Sequence, residues 1–191
     1  MIAGIVLAAG RSRRMGEPKA LLRFGGATFL ERAVRALSGG GCHAVWVVVG
    51  ADPEVAAAAG ELGAHVVVNA AAGAEQIDSL RLALAALPPE AEAAAVALVD
   101  VPEADAAVVR AVVDGFRRSG APLVLPSRGG RHGHPVLFAR RAWPELMAPG
   151  LAEGARSVVH AHAADRVEVP VDSLPRDVDT PDDYRRLLAG A

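Results

Sequence analysis

The stretch IAGIVLAAGRSRRMGEPKALL, residues 2–22, decides the fold. Residues 2–8 are apolar without interruption and show no polar alternation, as in a strand buried on both faces. The run stops at Gly10. Arg11, Arg13, Arg14 and Lys19 then follow before the chain turns apolar again at Leu21 and Leu22. A buried strand that feeds a glycine-containing loop brings backbone N–H groups to the carboxyl edge of a sheet. That is a common anion site in strand–helix alternating folds.

The pattern of this stretch recurs downstream. TFLERAVRALSGGG (28–41) reads as a helix capped by Thr28, with Glu31 paired to Arg35 and glycines ending it. AVWVVVG (44–50) reads as a second strand and AHVVVN (64–69) as a third. Between them lies a helix with an Asp cap, a proline at its first position and a terminal glycine. A looser AAAGAEQID leads into a short helix SLRLALAAL (79–87). AAAVALVD (93–100) is a strand ending in an acid, AAVVRAVVDGFRRSG (106–120) a helix and APLVLPS (121–127) a strand. These alternating elements predict an α/β, Rossmann-like three-layer domain with a mostly parallel sheet covered on both faces.

After residue 127 the rhythm changes. SRGGRHG reads as a flexible polar loop, HPVLFA as a strand, RAWPELM and EGARSVVHAHA as helices, and DRVEVPVD as a strand. TPDDYRRLL reads as a capped closing helix. The expectation is one domain over 1–191. Residues 1–127 mainly bind nucleotide, and 128–191 form a smaller substrate-facing elaboration.

Bulk properties narrow the class. The 191 residues are 52% hydrophobic and 22% charged, which suits a packed core and excludes disorder. A net charge of -2 gives no global basic field for nucleic acid or an anionic membrane. The apolar start is short, lacks a basic leading segment and runs into a charged loop, so no secretory signal is expected. With the single cysteine, Cys42, excluding an internal disulfide, the expectation is a cytoplasmic protein. Cys42 itself reads as a small semi-buried side chain.

The first loop lacks the G-x-G-x-x-G of dinucleotide binding. It also fails the P-loop pattern, because five residues separate Gly10 from Gly16 and no Gly-Lys-Ser/Thr follows. Arginine forks match phosphate oxygens, and Lys19 is the only lysine beside nineteen arginines. From charge alone, phosphate binding and a solvated basic loop both remain open. Asp100, at the end of its strand, is either a Mg2+ ligand beside phosphates or an ordinary loop carboxylate. In RDVDTPDDYRRLL the acids are either a solvated turn capping a helix or a second ligand source. His132 and His134 have H-x-H spacing, but no further zinc ligands accompany them.

LAAGRSRRMGEPKALL resembles the N-terminal signature L-A-A-G-x-S-x-R-M-G-x-x-K-x-L-L of MobA-like NTP transferases. The likeness is nearest to the molybdenum cofactor cytidylyltransferase branch. The resemblance implies that Ala8, Ala9 and Gly10 border base and sugar. Ser12 and Gly16 would shape the loop, and Arg14 and Lys19 would face the phosphates. Leu7, Arg11, Asn69 and Ser79 complete the implied nucleotide-contacting set. D-V-P at 100–102 resembles the family's acid-x-proline, and D-V-D-T-P-D-D resembles its D-x-D-T-P-x-D. Asp100 and Asp179 are therefore the implied Mg2+ ligands, with Arg14, Lys19 and Asp100 as the implied catalytic set. RGGRHGHPVLF resembles an acceptor-contacting run, implicating Arg131 and His134, while GAR at 154–156 implicates Arg156.

Two segments depart from the family pattern. NAAAGAEQIDSL carries Glu75-Gln76 where Gly-Met is usual, and LAEGARSV carries Ala152 where an acid is usual. The resemblance implies transfer of CMP from CTP to a phosphorylated small molecule such as molybdopterin. Pyrophosphate would leave, and a molybdoenzyme or maturation protein is an implied partner. GTP is the alternative donor, since the guanylyl branch more often reads L-A-G-G. Relatives of this signature also include nicotine blue oxidoreductases, which would act with NAD(P)H, but the dinucleotide fingerprint is missing. A plain anion-binding module is disfavoured, because paired acids add nothing to anion binding.

Overall fold

The computed structural model describes residues 1–10, 15–103 and 105–190. Its strands are β1 (Ile2–Ala8), β2 (Arg23–Phe24), β3 (Ala27–Thr28), β4 (Ala44–Val49), β5 (His65–Val68), β6 (Ala93–Leu98), β7 (Leu123–Arg128), β8 (Arg131–His132), β9 (Val136–Ala139) and β10 (Val167–Pro170). Its α-helices are α1 (Phe29–Gly39), α2 (Pro53–Glu61), α3 (Gln76–Ala86), α4 (Ala106–Ser119), α5 (Trp143–Met147), α6 (Ala155–Ala161) and α7 (Pro181–Ala189). The main sheet runs β10-β7-β9-β6-β1-β4-β5, and β8 pairs with β7.

β1 sits at the centre, parallel to β4 on one side and β6 on the other. Its residues alternate between two cores, which is why it reads as apolar throughout. Ile2, Val6 and Ala8 meet Leu30, Leu37, Val55 and Val112 beneath α1, α2 and α4. Ala3, Ile5 and Leu7 meet Leu80, Trp143 and Val158 beneath α3, α5 and α6. Gly4 lets α1 approach closely, since a Cβ there would lie 3.1 Å from the Leu37 Cβ. The three-layer arrangement expected from the sequence is the one observed.

Local chemistry sets the helix starts. Thr28 Oγ1 accepts from the Glu31 N–H (3.1 Å), while the Thr28 N–H donates to Glu31 Oε2 (3.2 Å). Glu31 also pairs with Arg35. Asp52 caps α2 ahead of Pro53, and Thr180 forms a capping box with Asp183 at α7. α3 begins three residues earlier than the apolar pattern suggests. The Glu75 N–H donates to Asp78 Oδ2 (3.0 Å), so the polar residues 76–78 form its first turn.

The last third does not form a separate layer. β9 lies between β6 and β7, antiparallel to both, and β10 extends the sheet beside β7. The segment expected to be a flexible loop is instead a tight hairpin. β7 and β8 pair through Ser127↔His132 and Arg128↔Arg131. The two turn residues, Gly129 (φ 57°) and Gly130 (φ 75°), both have the positive φ such a turn requires. The small β2–β3 hairpin was not legible in the sequence pattern. Among the described residues, no helix is long and apolar enough to cross a membrane.

Candidate active site at the carboxyl edge of the sheet

β6, β1, β4 and β5 are parallel, so the loops after all four open on one edge. A cleft of about 900 Å³ lies along that edge. Leu7, Ala8, Ala9 and Gly10 contribute its wall after β1, and Asn69 and Ser79 its wall near β5 and α3. Lys19, Asp100 and Asp179 line the same cleft. The structure thus brings together nine of the residues singled out from the sequence. Arg11, Ser12, Arg13 and Arg14 lie outside the described residues. Gly16 adopts φ 76° and is exposed, and it does not line the cleft.

The ionic centre of the cleft joins three distant segments. Lys19 Nζ lies 2.7 Å from Asp179 Oδ1 and 3.3 Å from Asp100 Oδ2. The lysine side chain is 14% exposed, against 26% for Asp100 and 57% for Asp179. Asp100 is the more desolvated acid, so its charge needs compensation most. Its Oδ1 is buried and has no hydrogen-bond partner among the described residues. An ammonium between two carboxylates, with one carboxylate oxygen left over, is a donor set that also suits a divalent cation. Among the described residues no three His, Cys, Asp or Glu side chains gather as a metal cage. Two carboxylates fit an ion that takes its other ligands from phosphates and water, as Mg2+ does.

Asp179 reaches this point because the residue before it is anchored. The Val178 N–H donates to the Asp100 carbonyl at 2.8 Å, and the Val178 side chain is buried in the core. The alternation of Asp177, Val178 and Asp179 turns the valine inward between two acids. Val178 was missed by sequence reasoning, although this apolar residue between two acids was its visible signal. Tyr184 adds a second tie, its hydroxyl donating to the Arg23 carbonyl at 2.8 Å.

Asp177 lies close enough to feel the same charges. Partial burial raises its pKa, and the Asp100 charge raises it further. His134 is held low by burial, against the opposing pull of the Val96 carbonyl and the Asp177 and Asp100 charges. Its Nδ1 is 3.3 Å from the Val96 carbonyl, which can only accept, so that nitrogen carries the proton. Nε2 of the neutral ring is then an acceptor, and it donates to a phosphate only when the ring is charged. Arg156, at the start of α6, is near enough to depress His134 further. Arg131 is exposed on β8. His134, Arg156 and Arg131 do not line the cleft itself.

Asn69 and Ser79 are the two buried polar side chains among the described residues, and they satisfy each other. Asn69 Nδ2 donates to Ser79 Oγ at 2.9 Å. This bond ties the loop after β5 to α3. Glu153, the acid beside Ala152, pairs with His160 at 3.3 Å on its own helix side. Cys42 is buried, which pushes its thiol up to about 12, and it takes no part in the site.

Comparison with known proteins identifies the family and matches the fold. The family described as the MobA-like NTP transferase domain matches residues 4–167. A nicotine blue oxidoreductase of Paenarthrobacter nicotinovorans is 31% identical, covering 98% of this chain and 96% of its own. A probable molybdenum cofactor guanylyltransferase of Mycobacterium avium is 29% identical over 97% of this chain and 94% of its own. The crystal structure of Rv0371c from Mycobacterium tuberculosis H37Rv is 33% identical. It superposes with a TM-score of 0.88 over 100% of this chain and 99% of that one. The same protein complexed with manganese superposes at 0.80, with 32% identity over 100% and 99% of the two chains. With its fold shared and the family model matching most of its length, the chain belongs to the MobA-like NTP transferase domain family.

Proposed function

We propose that the chain transfers CMP from CTP to the phosphate of a small acceptor such as molybdopterin, with a divalent cation and release of pyrophosphate. The observation that carries this reading is the Lys19 ammonium between Asp100 and Asp179, with the buried Asp100 Oδ1 left unpartnered among the described residues. A site built to hold one cation between two acids, beside a glycine loop, is suited to polyphosphate.

In the proposed step, an acceptor phosphate oxygen attacks the α-phosphorus. The new P–O bond forms as the α–β bridging bond breaks, and pyrophosphate departs with that bonding pair. The acceptor oxygen is already anionic, so no general base is needed. Asp100 and Asp179 hold the divalent cation, which supplies charge neutralisation to the phosphates. The manganese complex of the relative Rv0371c supports the presence of a divalent cation in this reading. Lys19 stays at the phosphates and offsets charge on the leaving group, and Arg14 joins it by family resemblance. Leu7 to Gly10, Asn69 and Ser79 wall the nucleoside. Residues 128–191 serve the acceptor, with Arg131, His134 and Arg156 binding it and Asp179 returning to the metal.

The L-A-A-G form of the loop favours CTP, and the guanylyltransferase relative makes GTP the alternative donor. A second reading follows from the nicotine blue oxidoreductase relative. That activity consumes NAD(P)H and needs no pyrophosphate chemistry, so one assay separates the two. Purified protein with Mg2+, each NTP and a panel of phosphorylated acceptors is expected to release pyrophosphate. Absence of release with every pair, together with NAD(P)H oxidation by a quinone-like dye, overturns the transfer reading in favour of reduction.

A further inference from the structure

The ionic centre is carried by three backbone segments, and each has to be held against the other two. Lys19 opens a short turn, Lys19–Leu21, that leads straight into the β2–β3 hairpin. Asp100 lies in the loop after β6, and Asp179 in the segment before α7. Val178 ties that last segment to the Asp100 loop, and Tyr184 ties it to the hairpin. The third side, from hairpin to Asp100 loop, is closed by Arg32 of α1.

Arg32 is half-buried and reaches both segments at once. Its Nε donates to the Pro102 carbonyl at 2.6 Å, and its guanidinium lies over the Phe24 ring, 4.8 Å from the centroid. A Cβ at Gly25 would lie 3.2 Å from its Nη1, so the hairpin turn closes on the same group. A planar guanidinium can donate in its plane while stacking through its face, which a lysine ammonium cannot do. Pro102 stands two residues beyond Asp100 and has no N–H, so its carbonyl is the one backbone group by which it can be held. The Val101 N–H is already turned back to the Leu98 carbonyl at 3.3 Å. Arg35, Arg117, Arg185 and Arg186 each pair with an acid of their own helix. Arg32 instead gives its charge to a carbonyl and a ring, which strengthens that hydrogen bond.

We infer that Arg32 is a positioning residue: by fixing Pro102 against the β2–β3 hairpin, it sets where the Asp100 carboxylate stands relative to Lys19. Its kinetic consequence rests on the nucleotidyl-transfer reading. Arg32 does not line the cleft, so it acts through the backbone of the Asp100 loop. Lys19 Nζ and Asp100 Oδ2 are 3.3 Å apart, at the outer edge of hydrogen-bonding distance. A small displacement of the loop therefore breaks that pair. Groups that orient a reacting or ligating side chain matter to the rate although they touch no substrate.

The chain's single lysine supplies the test. Isotopically labelled lysine gives one side-chain NMR signal, which reads the ionic centre with no substrate present. Wild type, Arg32→Met and Arg32→Gln are compared. Both variants lose the guanidinium, and Arg32→Gln decides if the methionine variant does not fold. The Lys19 signal is expected to move in the variants while thermal melting stays close to that of the wild type. In the pyrophosphate assay kcat should fall about tenfold or more, with KM for the NTP within about twofold of wild type. An unmoved Lys19 signal in a folded variant overturns the inference, whatever the rate does. A moved signal with wild-type kcat overturns it too, because the placement would then be irrelevant to transfer. Absence of pyrophosphate release from the wild type overturns the transfer reading and the kinetic consequence with it, while the Lys19 signal still supports or overturns the placement itself.

Discussion

Among the described residues, two places set one basic side chain between two carboxylates, and they are built differently. In the cleft, Lys19 lies between Asp100 and Asp179, which reach it across 81 and 160 positions of sequence. On the surface of the last third, His162 Nδ1 lies 2.9 Å from Asp165 and its Nε2 2.9 Å from Glu145. The second cluster is local and complete. Each ring nitrogen faces one acid, and α5 is stitched to the turn after α6. The first is long-range and leaves Asp100 Oδ1 buried without a partner among the described residues. A finished cluster holds structure together, and an unfinished one has capacity to spare for a ligand.

The contrast breaks most sharply at Asp100. Asp100→Asn is expected to lower pyrophosphate release about 10³-fold while leaving the melting temperature nearly unchanged. Wild-type rates in that variant would show that the acid does not hold the cation. Lys19→Met comes next, with a loss of about 10²-fold in kcat/KM. A loss confined to KM would assign Lys19 to ground-state binding alone.

The smallest effect belongs to the finished cluster. His162→Gln is expected to cost about 1 kcal/mol of stability and to leave transfer unchanged. Burial opposes the charge on His162, but the bonds to Glu145 and Asp165 outweigh it and raise its pKa. Its stabilisation is therefore full below the ordinary imidazole value and fades as pH rises through the folded-state value. Denaturant unfolding of wild type and variant should differ more at pH 5.5 than at pH 9. An equal gap at both would show that the ring contributes packing rather than charge.

What could be read in advance follows the range of the interaction. Thr28 with Glu31, Asp52 with Pro53 and Thr180 with Pro181 announce helices within four residues, and all three sit where expected. Asp78 as the partner of the Glu75 N–H is also local. It was missed because polar residues in a first turn look like loop. The β9 strand was legible as a strand but not as an antiparallel insertion between β6 and β7, since that placement depends on partners about 40 residues away. The Gly129–Gly130 turn has the composition of both a mobile loop and a tight hairpin, and cross-strand pairing decides between them. At the site, family resemblance named Asp100 and Asp179. No local pattern could reveal that Lys19 joins them, or that Val178 delivers the second acid.

The Val178 anchor bears on the order in which the molecule is made. Lys19 and Asp100 emerge early in synthesis, and the strands β1, β4 and β6 around them can pair before the tail exists. Asp179 arrives only when Val178 docks against the Asp100 carbonyl and Tyr184 reaches Arg23. A nascent chain halted before residue 178 would carry the central sheet strands yet lack half of the acid pair. The segment around Val178 therefore works as a catch that brings the second acid to the cleft.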